Sequence, residues 1–483
     1  MNPAFNKKIK IFATILPCVL ALFTLAPSLS AQTAAGSASQ SSASDAGSQK
    51  SVTLTVEKAV DYAKKNSRTL KSADIDLDIK RRASANSWNV LFPDVSVSGT
   101  MNRANSVESS IKQANAMGPL MTAMGIPFEE KEETESMHWT AIGNVTASLN
   151  LSLAYVNSIK AAKADYEAGK ISWEKSQKET IANIKKLFYG LLLAQENLNL
   201  QKRSLENARQ RSVQAGVNFR NGRIPELSLL QAQVTYQNMV PEVEQAELQF
   251  KQQKNMFAFL LGMPVGTEIV LDGSIDPEYV DLNADDLMKK YLEDSLDYKS
   301  LQATLNTMNL QLGAANMAAF TPALALSYSY QPVLPDALDA DWGDKDAWVD
   351  NGSFSVTLAW KLSDMLPWSK NRQQAKDLKA NIQKLELSLQ DVRENQRMKI
   401  QEAVDNLKMC REQIQSMQRN VTLAQRSYNM SATAYMNGTR ELLDLRDAEN
   451  QLNQAKLGLA NQKFNYISSL LDLETLLGIE LKK

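Results

Sequence analysis

The chain has 483 residues, 44% of them hydrophobic, and a formal charge of −1. It is long enough for two or three ordinary domains and lacks the basic excess that nucleic-acid binding needs. Two cysteines and one histidine are too few for a disulfide framework or a Cys/His metal cluster, and no cofactor is expected.

Lys7, Lys8 and Lys10 precede an apolar run from Ile11 to Leu25 and small residues from Ser28 to Ala31, which is the order of a secretory signal peptide over 1–31. Its removal takes 53 basic residues to 50 against 54 acidic ones, a charge of about −4. Cys18 lies inside the apolar run, so a lipid-modified N-terminus would need unusually early cleavage; Cys410 is otherwise the sole mature cysteine and no intrachain disulfide can form. Residues 32–51, rich in Ser, Ala, Gly and Gln, read as a disordered linker. No later stretch approaches the roughly 20 apolar residues of a membrane-spanning helix. A passage through a membrane would have to be made by strands.

A helical pattern is expected over 56–90, stopped by Phe92-Pro93. Strands follow. Val95 and Val97 begin one; Val145, Ala147, Leu149, Leu151 and Leu153 alternate with Thr146, Ser148, Asn150 and Ser152 in the next. In the second half Leu324, Leu326, Tyr328 and Tyr330 form a third, and Phe354, Val356, Leu358, Trp360 and Leu362 alternate with Ser355, Thr357, Ala359 and Lys361 in a fourth. One face is apolar and the other polar, which suits a sheet covered by helices or a membrane barrel with lipid outside and water inside. Long loops at 104–138 and 331–351 separate the strands of each pair. The second holds Asp336, Asp339, Asp341, Asp344, Asp346 and Asp350, which suits either a solvated acidic loop or a calcium site, although the EF-hand spacing is absent.

Very long helices are expected over 156–219 and 367–436, with coiled-coil spacing in Leu378, Ile382, Leu385, Leu389 and Val392. At 1.5 Å per residue they approach about 100 Å. Shorter helices over 56–90, 225–262, 284–319 and 441–478 are each near half that length, so two end to end would match one long helix. Pro241 is expected to kink the second of them. Glu268-Ile-Val-Leu suggests a short strand between the halves.

Each long helix ends in a turn: Phe219-Arg-Asn221-Gly222-Arg-Ile224-Pro225-Glu-Leu227, and Tyr435-Met-Asn437-Gly438-Thr439-Arg440-Glu-Leu442-Leu443-Asp444. Gly tolerates the left-handed conformation that ends a helix; Thr439 is expected to cap the next helix, and Pro225 to occupy its counterpart's first turn. Asn-Gly recurs at 221–222 and 437–438, and Leu-Leu-Gly at 260–262 and 476–478, so 438 − 222 = 478 − 262 = 216, an internal duplication. The repeats cover 52–265, with a strand pair in 94–154, and 284–483, with a strand pair in 323–362, joined by 266–283.

With Tyr435-x-x-Gly438-Thr439-Arg440-x-x-x-Asp444-x-x-Asp447-Ala448, the two Pro-marked helix ends and the repeated Leu-Leu-Gly, everything after residue 51 resembles the TolC-like outer-membrane efflux proteins. The resemblance implies a mainly α protein with a membrane β-barrel part: three chains forming a 12-strand outer-membrane barrel continued by a 12-helix periplasmic α-barrel, working with a periplasmic adaptor and an inner-membrane transporter. The residues give their own reason for an oligomer. Four strands leave two open edges, and unpaired backbone in lipid costs several kcal/mol per group, so one chain alone cannot close a barrel.

Lipid is then expected on the face carrying Leu149, Leu151, Phe354, Val356, Leu358 and Trp360. The adaptor-docking tips are expected at Asn221, Gly222, Ile224, Leu227, Asn437, Gly438, Thr439, Leu442 and Leu443, although Leu227 and Leu443 equally suit interhelical packing. A periplasmic gate is expected at Tyr435, Arg440, Asp444 and Asp447, with the last three at i, i+4 and i+7 on one helix face. In the family pattern the tyrosine and arginine link to an acid in the first hairpin; here that position is Ser228, and Glu226 stands nearby. Taken alone, an Arg440 to Asp444 pair is worth only about 0.3–0.5 kcal/mol. No catalytic constellation accompanies these features. A secreted structural or adhesive coiled-coil trimer would explain the heptad-like helices but not the inserted strands or the paired turns, and a periplasmic adaptor would need β-rich domains that the chain lacks.

Overall fold

The computed structural model describes residues 52–130, 132–264 and 266–481. The expected signal peptide and the expected linker lie outside them.

The first half runs β1 (Val52–Leu54), α1 (Val56–Asn66), α2 (Arg68–Ala85), a 3-10 turn (Ser87–Leu91), β2 (Asp94–Arg103), α3 (Glu108–Ala116), α4 (Gly118–Ala123), β3 (Trp139–Leu151), α5 (Ala154–Arg220), α6 (Glu226–Leu261) and β4 (Ile269–Leu271). The second half runs α7 (Ala284–Tyr291), α8 (Leu296–Phe320), β5 (Ala323–Tyr330), β6 (Pro332–Leu334), β7 (Val349–Asp350), β8 (Ser353–Ala359), α9 (Lys370–Met436) and α10 (Leu442–Leu477). Helices α5 and α9 have 67 residues each, and α6 and α10 have 36 each. Their starts keep the offset of the turns, 370 − 154 = 442 − 226 = 216.

The same offset runs through the interior. Ile184, Phe188 and Leu191 at the middle of α5 are buried with α1, α6, β1 and β4, while Ile400, Val404 and Leu407 at the middle of α9 are buried with α7 and α10. Each long helix is thus packed at its centre into a separate apolar cluster. Along the rest of its length α5 is flanked by α2, α6, α8 and α10, and α9 by α8 and α10.

Several expected elements are divided. The helix expected over 56–90 breaks at Ser67, where ψ is 127°, and continues as a 3-10 turn after Ala85; the one over 284–319 breaks before Ser295, where ψ is 143°. A serine side chain competes for backbone groups at such a break: Ser295 Oγ lies 3.4 Å from the Tyr298 N–H and donates to Gln396 Oε1 at 2.9 Å. Helix α6 continues through Pro241. The strand suggested by Glu268-Ile-Val-Leu is β4, and it pairs in parallel with β1, from Val52 against Ile269 to Leu54 against Leu271, a partner that the sequence did not suggest.

Four long strands form an antiparallel sheet in the order β2, β3, β5, β8, with β6 and β7 continuing beside β3. Among the described residues the sheet does not close into a barrel; β2 and β8 are its edges. The 104–138 connection holds α3 and α4 rather than being an open loop, and it is fastened to the 331–351 connection: Ser136 Oγ donates to the Asp336 carbonyl at 2.7 Å and the Ala337 N–H to the Trp139 carbonyl at 3.0 Å. Aspartates of the second loop accept from backbone N–H groups, Asp341 from Gly343 at 2.8 Å, Asp344 from Asp346 at 3.0 Å and Asp350 from Gly352 at 2.8 Å. Their carboxylates shape turns rather than converge, and no grouping among the described residues could hold a metal ion.

Phe188 is 1% exposed at the centre of its cluster, so Phe188→Ala is expected to lower stability by about 3–5 kcal/mol through lost transfer energy and a cavity, measured by denaturant unfolding of the detergent-solubilised protein.

Candidate functional site

The candidate site residues fall in two regions, the turned ends of the helices and the two faces of the sheet. At the tip the turns repeat each other in detail. Gly222 (φ 71°) and Gly438 (φ 73°) take the left-handed conformation. The Arg223 N–H donates to the Asn218 carbonyl at 2.8 Å and the Thr439 N–H to the Ala434 carbonyl at 2.9 Å, each closing the end of a long helix with a six-residue bond. The Thr439 hydroxyl donates to the same Ala434 carbonyl at 3.0 Å. Thr439 therefore finishes α9 instead of capping α10, whose N-cap is Glu441; likewise Pro225 is the N-cap of α6 rather than a residue of its first turn. The physical reason is the same in both turns, because the Gly bend spends the next residues on satisfying the last carbonyls of the preceding helix.

Asn221, Gly222, Asn437, Gly438 and Thr439 are exposed, Ile224 and Leu442 are half-buried, and Leu227 and Leu443 are exposed at 66% and 52%. Within the chain neither of these last two leucines is spent on interhelical packing. Arg440 precedes α10, so the helical i, i+4, i+7 argument holds only from Asp444 onward, yet Arg440 Nη1 still lies 3.4 Å from Asp444 Oδ2 in an exposed pair. Asp447 is exposed and Tyr435 half-buried. Among the described residues no ion pair joins Glu226 to Arg440.

A polar ladder about two to five turns behind the tip escaped the sequence reading. Arg211 Nη1 on α5 lies 2.6 Å from Glu449 Oε2 on α10, Asn207 Nδ2 donates to Glu449 Oε1 at 2.7 Å, and Asn453 Nδ2 donates to Ser204 Oγ at 2.8 Å. Glu449 is 5% exposed, surrounded along the seam by buried Ala208, Leu445, Ala448 and Leu452. The Tyr428 phenol on α9 is pushed up by burial and then by the Glu449 charge. The available signal was a glutamate inside an apolar stripe, since Leu445, Ala448, Leu452 and Ala455 surround it at helical spacing.

In the sheet, register decides the faces. Val95 pairs with Ala147, Val97 with Val145, Leu149 with Leu326, Leu151 with Leu324, Leu326 with Val356, Leu324 with Leu358 and Tyr328 with Phe354. Paired residues share a face, so one side is apolar across all four strands. Ser96, Thr146, Ser327 and Ser355 occupy the other, where the Ser96 and Thr146 hydroxyls are hydrogen-bonded at 2.9 Å. Leu149, Leu151, Phe354, Val356 and Leu358 all lie on the apolar side. Trp360 keeps their alternation but falls beyond β8, which ends at Ala359.

This combination of a two-faced strand sheet and paired helical hairpins is matched in known proteins. The family model for outer membrane efflux proteins matches residues 59–263 and 287–479. The chain belongs to that family, whose members are TolC-like channels and not enzymes. It is 23% identical over 340 residues to nodulation protein T of Rhizobium leguminosarum bv. trifolii, covering 69% of this chain and 71% of that protein. It is 23% identical over 428 residues to the probable efflux pump outer membrane protein TtgC of Pseudomonas putida KT2440, covering 86% of this chain and 80% of that protein. In fold it is similar to the CmeC outer membrane channel of Campylobacter jejuni, with a TM-score of 0.70, 20% identity and coverage of 89% and 87%.

A Cβ added at Gly438 meets nothing within 4 Å, so Gly438→Ala is expected to cost about 1–2 kcal/mol from the left-handed backbone alone. A thermal melt showing a larger loss would place a packing role at the turn.

Proposed function

We propose that three copies of this chain close a 12-strand barrel in the outer membrane, continued by a 12-helix tunnel through the periplasm, and that this conduit exports cargo handed on by an inner-membrane transporter through a periplasmic adaptor. The observation that carries the reading is that the chain is unfinished in a repeated way. Strands β2 and β8 each leave an edge of backbone groups unpaired beside a continuous apolar face, and in lipid such edges must meet other strands.

The duplication supports it independently. Ser67 and Ser295, both 2% exposed, mark equivalent breaks, 295 − 67 = 228. By that shift Ile75 and Ile79 of α2 correspond to Ala303 and Thr307 of α8. Thr307 is buried, because α8 lies against both α5 and α9, whereas α2 lies against α5 only and leaves Ile75 and Ile79 at 59% and 51% exposure. A neighbouring copy's long helix supplies the missing cover. A secreted coiled-coil trimer would share that need but gives no use for a sheet with one apolar and one hydroxyl-rich face.

The apolar face, with Leu149, Leu151, Phe354, Val356 and Leu358 and with Trp360 at its border, meets lipid, and the serine and threonine face meets water. The tip meets the adaptor through Ile224, Leu227, Leu442 and Leu443 around the two Asn-Gly turns, an exposed apolar patch on an otherwise polar end. Asp444 and Asp447, repeated around the axis, ring the narrowing tip with acid and favour cations. With Ser228 in place of an acid, Arg440 is held by its own hairpin's Asp444.

Mass measurement in mild detergent is expected to give a trimer; a stable monomer with full strand content would overturn the assembly. Val356→Arg is expected to cost about 2–4 kcal/mol near the membrane midplane and to block barrel assembly, read as loss of a heat-resistant oligomer. In planar bilayers Arg440→Ser is expected to raise resting conductance, and Asp444→Asn with Asp447→Asn to reduce cation selectivity; no change in either would remove the gate from this stretch.

A further inference from the structure

Charge is not spread evenly around the sheet. The pairings of Asp94 with Ser148, Leu151 with Leu324 and Leu324 with Leu358 bring the helix-side ends of the four long strands to about one level. The twelve residues next to each of those ends, 82–93, 152–163, 311–322 and 360–371, contain Arg82, Lys160, Lys163, Lys361 and Lys370 against a single acid, Asp364. All five basic side chains are exposed, and among the described residues none is in an ion pair or a side-chain hydrogen bond. Asp364 is engaged by Asn371 Nδ2 at 2.8 Å. The connections at the opposite ends, 104–138 and 331–351, hold twelve acidic residues against three basic ones. The sheet thus has a basic end and an acidic end. Exposed rings stand among the basic residues: Trp88 and Phe92, packed edge to face at 4.6 Å, then Trp360, and Trp368 at 75% exposure. Between α2, the 3-10 turn and the start of α5 lies a cleft of about 480 Å³ lined by Ser84, Ser87, Trp88, Lys163 and Tyr166. The acid on its wall, Glu167, is held by Lys170 at 2.8 Å.

We propose that this basic and aromatic collar binds anionic phospholipid, the headgroup phosphate meeting Lys163 in the cleft beside Trp88 and Lys361 and Lys370 beside Trp360 and Trp368, with the acyl chains on the apolar face of the strands. The inference rests on the reading that the sheet spans a membrane, and it adds the class of lipid that the chain selects. Indole rings settle where one side is apolar and the other wet. Rings alone would mark that border without choosing among headgroups, and lysines alone would make a solvated surface. Here both stand at one level, next to the apolar face that carries Leu151, Leu324 and Leu358. A cation without a protein partner is free to pair with phosphate, and each one near a membrane surface raises the affinity for acidic lipid by about fivefold. Because β2 and β8 are the edges of the sheet, closure of a barrel sets Lys361 and Lys370 of one copy beside Arg82 and the Trp88 cleft of the next. The two parts of the basic set then meet at each junction between copies.

The test is made on the full-length protein reconstituted into vesicles of phosphatidylcholine alone and of an equal mixture with phosphatidylglycerol. Lipid retained after detergent extraction is read by native mass spectrometry, and insertion by quenching of tryptophan fluorescence with brominated acyl chains. The protein is expected to retain phosphatidylglycerol in preference to phosphatidylcholine, less so as salt is raised. Lys163→Gln with Lys361→Gln and Lys370→Gln should lower that preference by about fivefold for each charge removed, with insertion and the thermal melt in phosphatidylcholine unchanged. Lys251→Gln with Lys289→Gln and Lys408→Gln, three exposed lysines away from the strand ends, should leave the preference as it was. Equal retention of both lipids by a protein whose tryptophans are quenched overturns the collar and leaves the membrane sheet standing. An equal loss in the two triple variants overturns it as well, since overall charge would then suffice. Displacement of the lipid by an equal concentration of inorganic phosphate would reveal a phosphate site and overturn the lipid surface. If brominated chains quench in neither vesicle, the sheet is not in the membrane and both readings fall.

Discussion

A helix of 67 residues is about 100 Å long and cannot remain ordered on its own backbone bonds; its apolar stripe has to be covered along the whole length. That requirement governs how the rest of the chain is used. Near the middle of α5 and α9 the cover is a true core, in which Phe188 or Val404 is almost fully buried. Toward the strands it is α2 and α8, and toward the turns it is α6 and α10. The short helices have the length and the breaks they have because two of them must follow one long helix past a central cluster. The cover on α2 is incomplete within one chain, and the exposed Ile75 and Ile79 mark the gap.

The sheet obeys a different constraint. Its strands carry apolar residues on one side and hydroxyls on the other through an unbroken register of four strands. None of the described helices is long and apolar enough to cross a membrane, and among the described residues the outer edges of β2 and β8 have no strand partner. Ion pairs do little here. Most bridges join exposed side chains and are worth about 0–1 kcal/mol each. Arg211 with Glu449 is the exception among the described residues, with side-chain exposures of 16% and 7%.

The packing at the centre of the long helices differs from the packing nearer the turns. The central clusters are apolar and closed, and separating them would expose large hydrophobic surface. The seam between α5 and α10 carries the pair of Arg211 with Glu449 among the buried Ala208, Leu445, Ala448 and Leu452. Beside the two Asn-Gly turns Leu227 and Leu443 are exposed.

The sequence by itself determined the element types, the duplication and the strand faces, because each is written in local periodicity: alternation at Val145 to Leu153, 3,4 spacing at Leu378 to Val392, and Asn-Gly at a fixed offset of 216. It also placed the membership of the efflux family. Tertiary structure alone decided the breaks at Ser67 and before Ser295, the parallel pairing of Val52–Leu54 with Ile269–Leu271, the use of Thr439 to finish one helix rather than start another, and the meeting of Arg211 with Glu449. Each of the long-range contacts joins residues more than 200 positions apart. A local pattern specifies which face of an element is apolar, but the polar partner that a buried glutamate finds depends on which helix is brought against it, and only the packed chain sets that.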